Sequence, residues 1–240
     1  LECGSSCSEA CQSLSWVARN LSLVDGDAIL MAAGEYSAES LSFPVVSIIG
    51  AGSAHTIIEC PSSSTVGALE FREGGLLRGV RINHCRDSAV TVGSWERGGD
   101  FTVDDCFFFN CTTSGQQIGQ HVGAGAGIRY WGRGQGVIRL NNTVFDGCGA
   151  TRQATNQNLY LQGGAVYINR GTQLFTHNTL FKDCFLIGLP DESGCLKVGA
   201  SATLILSGMQ STELINVTAF NSFLSSGNIH EAFQSHIRIS

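Results

Sequence analysis

The chain has 240 residues, of which only 14% are charged, with 30 Gly, 3 Pro, 10 Cys and a formal net charge of −6. Scarce charge argues against a helical bundle, whose exposed faces carry many Lys and Glu, and abundant Gly with little Pro suits tight turns between short strands. An acidic chain with no basic run argues against a nucleic-acid partner, and no run of eighteen apolar residues is present to span a membrane.

In chain order, residues 1–24 read as a disulfide-rich N-terminal segment holding Cys3, Cys7 and Cys11, followed by a short helix over Ser13–Leu21. Leu14, Val17, Ala18 and Leu21 fall on one face of that helix. The chain starts at Leu1 without Met or a signal peptide, which reads as a processed or excised segment. From Asp25 onward, period-two alternation takes over. Asp25–Tyr36, Val46–Gly52 and Thr56–Ile58 are strand-like stretches broken by Gly and polar residues.

A phrase then recurs: an apolar residue, two polar or small residues, and Cys. It appears as Ile82-Asn-His-Cys85, Phe108-Phe-Asn-Cys111, Phe145-Asp-Gly-Cys148 and Phe181-Lys-Asp-Cys184. A fifth copy, Phe220-Asn-Ser-Phe223, carries Phe in place of Cys. A second phrase follows at variable distance, as Ser88–Val92, Ala126–Tyr130, Gly164–Ile168 and Gly194–Val198. The last stretch, His236–Ser240, is a strand. A repeat of this length with no helical stretch between strands predicts a parallel sheet coiled on itself, so that stacked units bury its apolar face. Loops leave such a cylinder sideways, as at Gln116–Gly125 and Ala150–Gln162. The rival, an antiparallel sandwich, does not explain Cys recurring in one place.

The opening stretches from Asp25 to Ile58 resemble the first coils of pectin-lyase-like right-handed β-helices, in which a helix caps the first coil. The Gly-Gly-Ala-Val and Phe-x-x-Cys phrases are similar to the repeats of chlamydial polymorphic outer-membrane proteins, which favour Asn where this chain has Cys. The resemblance implies an all-β, right-handed parallel β-helix solenoid of about seven coils over 25–240, with a short N-terminal cap helix.

Strands stacked about 4.8 Å apart bring equivalent cysteines within the Cα separation of a disulfide, roughly 4.4–6.8 Å. The expected pairs are Cys85–Cys111 and Cys148–Cys184. Cys111–Cys148 is a less favoured pairing, and a stack of unbonded thiols is the plain alternative. Cys3, Cys7 and Cys11 pair with one another, with Cys60 or with Cys106, and sequence leaves the choice open. An even cysteine count with sequons at Asn20, Asn110, Asn141 and Asn216 points to an extracellular or cell-surface glycoprotein of the secretory pathway.

Many β-helices of the resembled superfamily cleave acidic polysaccharides. Hydrolases need paired carboxylates, and lyases an acidic Ca²⁺ site with a basic residue. The candidates are Asp104, Asp105, Asp146 and Asp183, with His84 and Arg81 one rung below and Arg129 and Arg139 nearby in sequence. The paired Asp-Asp, Gly-His-Gly and Arg-Ile-Lys elements of polygalacturonases are absent, and turn positions or strand-end caps are the plainer reading of each Asp. Tyr130 and Tyr167 are read as stacking on each other. Trp131, facing the other way, is the candidate ligand-binding ring.

The expected function is therefore a non-catalytic, extracellular structural or adhesive rod without a cofactor or metal, Ca²⁺ entering only for a lyase. A polysaccharide lyase or glycoside hydrolase and a glycan-binding module are the alternatives. The final strand predicts either that the parent chain continues or that a partner, self or other, stacks on the C-terminal edge.

Overall fold

The computed structural model describes residues 13–38, 40–61, 67–94, 97–113, 117–118, 121–122, 125–132, 136–153, 160–161, 164–168, 172–189, 204–206, 211–220, 223–226 and 237–239. Cys3, Cys7, Cys11 and the Gly194–Val198 phrase lie outside them. The helix spans Leu14–Asn20. Ser13 caps it by accepting the Trp16 N–H at 3.0 Å, and Leu14 and Val17 bury their side chains in the core. No helix among the described residues is long and apolar enough to cross a membrane.

The strands form the parallel β-helix that the repeats predicted, and its three faces are called A, B and C. Face A stacks Ala28–Leu30, Val46–Ile49, Gly75–Arg78, Phe101–Asp104, Val137–Asn141 and the first halves of Gln173–Lys182 and Ser211–Phe220. Face B stacks Gly34–Ser37, Thr56–Glu59, Arg81–Asn83, Phe107–Phe109, Val144–Asp146 and the second halves of those two long strands. Face C is a seven-stranded sheet running from Leu41–Phe43 through Leu69–Phe71, Val90–Val92, Ile128–Tyr130, Val166–Ile168 and Leu204–Leu206 to Ile237–Ile239. Leu204–Leu206 is the strand paired with Val166–Ile168 on its C-terminal side.

Register turns the repeat into columns. Ile58, Ile82, Phe108, Phe145, Phe181 and Ala219 occupy one inward column. The Phe145 ring lies 4.8 Å from that of Phe108 and 5.0 Å from that of Phe181, each nearly parallel. Phe43, Phe71 and Phe101 form a second aromatic cluster of tilted rings, with centroids 5.9 Å and 4.9 Å apart. Phe220 is not the continuation of the first column: it sits opposite Lys182, and Ala219 takes the Phe position.

Two columns of left-handed turn residues separate the faces. Gly79, Asp105, Asn142, Asn178 and Asn216 bend the chain from A to B, and His84, Asn110, Gly147 and Asp183 bend it beyond B. Asn, Asp, Gly and His are the types that tolerate this conformation. Asn142, Asn178 and Asn216 also link rung to rung. The Asn216 amide donates to Asn178 Oδ1 at 2.6 Å, and that of Asn178 to Asn142 Oδ1 at 3.1 Å.

The two expected excursions are not independent loops. Gln117–Ile118 and His121–Val122 pair antiparallel, and His121–Val122 pairs parallel with Tyr160–Leu161. Thr112–Thr113, Gly149–Gln153, Phe185–Leu189 and Phe223–Ser226 form a further four-stranded sheet. Loops that leave neighbouring rungs at one place satisfy each other's backbone groups.

The cysteine pairing differs from expectation. Cys60 is bonded to Cys85, with a Cα separation of 4.9 Å. Cys106, Cys111, Cys148 and Cys184 are buried and carry no disulfide among the described residues, so neither Cys85–Cys111 nor Cys148–Cys184 is formed. The cause lies in the second coil, where Ile58-Glu-Cys60 is the same phrase shortened by one residue. Cys60 therefore occupies the rung before Cys85 and takes its single bond. Cys148 and Cys184 satisfy their S–H groups on carbonyls of the preceding rung, Phe108 O at 3.4 Å and Phe145 O at 3.6 Å.

Candidate functional site

Face B presents the densest outward array of polar and aromatic groups. Because Ile58, Ile82 and Phe108 point inward, the residues flanking them point outward. One outward column runs Glu59, Asn83, Phe109, Asp146, Lys182, and its neighbour Ile57, Arg81, Phe107, Val144, Leu180.

Glu59 organises the N-terminal part. Its Oε1 accepts from the Asn83 side-chain amide, and its Oε2 lies 3.1 Å from His84 Nδ1. Asn83 in turn accepts from Arg81 Nε at 2.8 Å through its Oδ1. The Arg81 guanidinium lies over two rings, 4.7 Å from the Phe107 centroid and 4.8 Å from that of Phe109. The His84 ring meets Phe109 edge-on at 5.5 Å. The carboxylate thus orients the imidazole through Nδ1, while both phenyl rings lie within cation–π distance of the guanidinium.

Further along, Asp146 accepts from Lys182 Nζ at 2.8 Å, and Asp183 lies 3.6 Å from the same ammonium. The Asp146 bond is the main cause that holds the Lys182 ammonium above its usual range. Asp146 and Asp183 are therefore not equivalent: Asp146 stands opposite Lys182, and Asp183 occupies the turn beyond it. Asp104 belongs to face A, paired with Arg78 Nε at 3.3 Å and accepting from Asn142 at 3.1 Å. Asp105, in the turn, accepts from Ser53 Oγ at 3.1 Å. Glu59 and Asp146 share a column but stand three rungs apart, about 14 Å at about 4.8 Å per rung. That exceeds the roughly 9.5 Å upper limit for paired carboxylates in glycoside hydrolysis. Among the described residues, no group of three or more His, Cys, Asp or Glu is placed to hold a metal ion.

Face C carries the other candidates. Arg129 is nearly buried although it lies on an outward position, and its Nη2 meets Asp87 Oδ1 at 2.9 Å. Trp131 packs edge-on against Tyr167 at 5.7 Å. Tyr167 stands opposite Arg129, and Tyr130 opposite Ile168, so the two tyrosines do not stack. Tyr130 instead points inward, and its hydroxyl donates to Gly99 O at 3.0 Å. Burial, aided by the Asp100 charge, pushes its phenol up to about 12. Arg139, on face A, pairs with Asp100 at 3.5 Å.

The sequons occupy distinct settings. Asn20 ends the helix and donates to Trp16 O at 2.9 Å. Asn110 is an exposed turn residue, Asn141 a half-buried strand residue of face A, and Asn216 a member of the amide ladder. Of the array on face B and its turn, His84, Arg81, Asp146 and Asp183 were candidates from sequence. Glu59, Asn83, Phe107 and Phe109 were not, because the bonds that join them run between rungs.

No protein-family model and no curated protein sequence matches the chain. Among solved structures, the chain is similar to pectin methylesterase PemA from Erwinia chrysanthemi, at 10% identity and a TM-score of 0.42, over 99% of this chain and 91% of that one. A second is the A-module of mannuronan C-5 epimerase AlgE4 from Azotobacter vinelandii, at 12% identity and a TM-score of 0.17, over 90% and 91% of the two chains. At these values neither likeness carries an argument about activity.

Proposed function

We propose that this chain is a non-catalytic, extracellular β-helix that serves as a structural or adhesive rod, glycosylated and assembled with partners or with itself through its C-terminal edge. One observation carries the reading. Asp104, Asp105, Asp146, Asp183 and His84 are each engaged by a side chain from another rung or, for Asp183, by the preceding residue, Lys182. A rung-to-rung ion pair stiffens a solenoid and leaves its carboxylate less free for proton transfer. The test is turnover on a panel of acidic and neutral polysaccharides, with and without Ca²⁺. No product is expected, and turnover abolished by Asp104→Ala or Asp146→Ala contradicts the reading.

A glycan-binding role is the second reading, favoured by Arg81 held between Phe107 and Phe109 beside His84. Flat apolar rings next to polar groups of fixed direction suit a sugar, whose faces are apolar and whose edges are polar. Binding on a glycan array lost in Phe109→Ala but kept in Trp131→Ala supports this face. The reverse pattern assigns binding to Trp131.

A further inference from the structure

Beyond face B, five cysteines occupy successive rungs in a single column: Cys60, Cys85, Cys111, Cys148 and Cys184. Backbone bonds record their stacking. Thr112 N–H donates to Cys85 O at 2.7 Å, Gly149 N–H to Cys111 O at 3.0 Å, and Phe185 N–H to Cys148 O at 3.1 Å. Cys60 and Cys85 are joined, and the other three are thiols with no exposed surface.

The thiols share a direction. Cys111 Sγ faces Ile82 O at 3.7 Å, Cys148 Sγ faces Phe108 O at 3.4 Å, and Cys184 Sγ faces Phe145 O at 3.6 Å. Each acceptor belongs to the rung before the thiol's own, and each sulfur also meets a carbonyl of its own rung, Phe109 O at 3.6 Å, Asp146 O at 3.8 Å and Lys182 O at 3.5 Å, so the thiols sit between adjacent rungs of the column. Cys85 consequently has a cysteine one rung away on either side, Cys60 bonded and Cys111 not. Three cysteines on successive rungs of one column supply the participants of thiol–disulfide exchange, in which a thiolate attacks one sulfur of a disulfide and the other leaves.

We infer that the Cys60–Cys85 disulfide is movable, and that exchange with Cys111 delivers a thiol to Cys60. The Cys111 thiolate attacks Cys85 Sγ, and the Cys85–Cys111 bond forms as the Cys60–Cys85 bond breaks. The bonding pair leaves on Cys60 as a thiolate, which takes up the proton that Cys111 released. One disulfide is exchanged for another, so no oxidant or reductant is consumed. The geometry permits both bonds: the present pair has a Cα separation of 4.9 Å, and stacked equivalent positions lie about 4.8 Å apart, both within the disulfide range.

The released thiol would differ from the others in place. Cys60 keeps 6% exposure, whereas Cys85, Cys111, Cys148 and Cys184 keep none, and it follows Glu59, whose carboxylate meets His84 at the surface. Exchange therefore moves the thiol from a fully enclosed rung to the least enclosed cysteine of the column, next to Glu59. There it can form a mixed disulfide with a thiol-bearing partner, giving a covalent attachment point within a rod otherwise held by packing. Further steps down the column are resisted, because burial, with Cys111 as its neighbour, pushes the Cys148 thiol well above its ordinary value.

The test uses the native full chain, incubated at pH 8.5 with excess iodoacetamide, quenched in acid and mapped as non-reduced peptides. Alkylated Cys60 is expected to accumulate with time, matched one for one by a Cys85–Cys111 linked peptide. Below the thiol pKa the rate rises about tenfold per pH unit with the thiolate fraction. Cys111→Ser abolishes the labelling and Cys148→Ser preserves it. If Cys111→Ser does not fold, Cys111→Ala replaces it, and the linked peptide in the unmodified chain decides independently. A Cys60–Cys85 bond that persists unlabelled, or Cys60 labelling undiminished without Cys111, overturns the inference.

Discussion

Replacing Phe145 by Ala should expose how far the aromatic column holds the rungs together. Phe145 is fully buried and stacked on both sides, at 4.8 Å and 5.0 Å with 7° between planes in each case. Truncating a buried Phe costs about 3–5 kcal/mol, and the loss of two ring contacts, each about 0.5–1.5 kcal/mol, places this site at the upper end. Phe43 has one ring neighbour, tilted and 5.9 Å away, so Phe43→Ala should cost about 1 kcal/mol less. Gly127 supplies the control. A Cβ built there would lie 2.7 Å from the Phe145 ring and 3.0 Å from Ala165 O. Gly127→Ala alone should therefore cost about 2 kcal/mol through overpacking. In the Phe145→Ala background the ring is gone, and that cost should shrink by about 1–2 kcal/mol. The assay is urea unfolding followed by circular dichroism, with midpoints and slopes for the four proteins of the cycle. Additivity within about 0.5 kcal/mol, or a Phe145→Ala cost below about 1 kcal/mol, refutes the stacked column.

Other outcomes follow from the same geometry. Cys85→Ser removes a bridge that spans 25 residues and should lower stability by about 3.5 kcal/mol on loop-entropy reasoning, read from urea midpoints. Asp87→Ala leaves the nearly buried Arg129 without the Asp87 carboxylate and should cost about 3 kcal/mol, more than Arg129→Met, which removes the charge as well. Tyr130, raised to about 12 by burial, stabilises the fold fully below the unfolded tyrosine value of 10 and loses that contribution as pH rises through 12. Urea midpoints should fall between pH 10 and 12, and fall less steeply in Tyr130→Phe. The Lys182 ammonium, raised chiefly by Asp146, adds to the same alkaline loss with the same sign, and Lys182→Met should flatten that part of the profile.

The fold was legible because period-two alternation and a recurring Cys phrase both survive in single-sequence form. The Phe108, Phe145 and Phe181 positions of the phrase are the ring column itself. What failed did so by one residue. Ile58-Glu-Cys60 lacks the left-handed turn residue that His84 supplies in the next coil, so Cys60 escaped the phrase and its bond to Cys85 was missed. Phe220 matched the phrase by type, yet lies one position past the column, which Ala219 continues. Tyr130 and Tyr167 fell out of step in the same way, one inward and one outward. The site was less legible, since Glu59 meets Asn83 and His84 only through stacking of strands more than twenty residues apart. The candidate carboxylates Asp104 and Asp146 were visible, but their cationic partners Arg78 and Lys182 come from neighbouring rungs that no local motif announces.

The central claim is that this register holds rung by rung, and a high-resolution crystal structure tests it most directly. The account predicts the Phe108, Phe145 and Phe181 rings stacked about 5 Å apart, with Glu59 on His84 and Asp146 on Lys182 along face B. Antiparallel pairing of these strands, or a parallel stack shifted so that Phe220 enters the ring column, would contradict it.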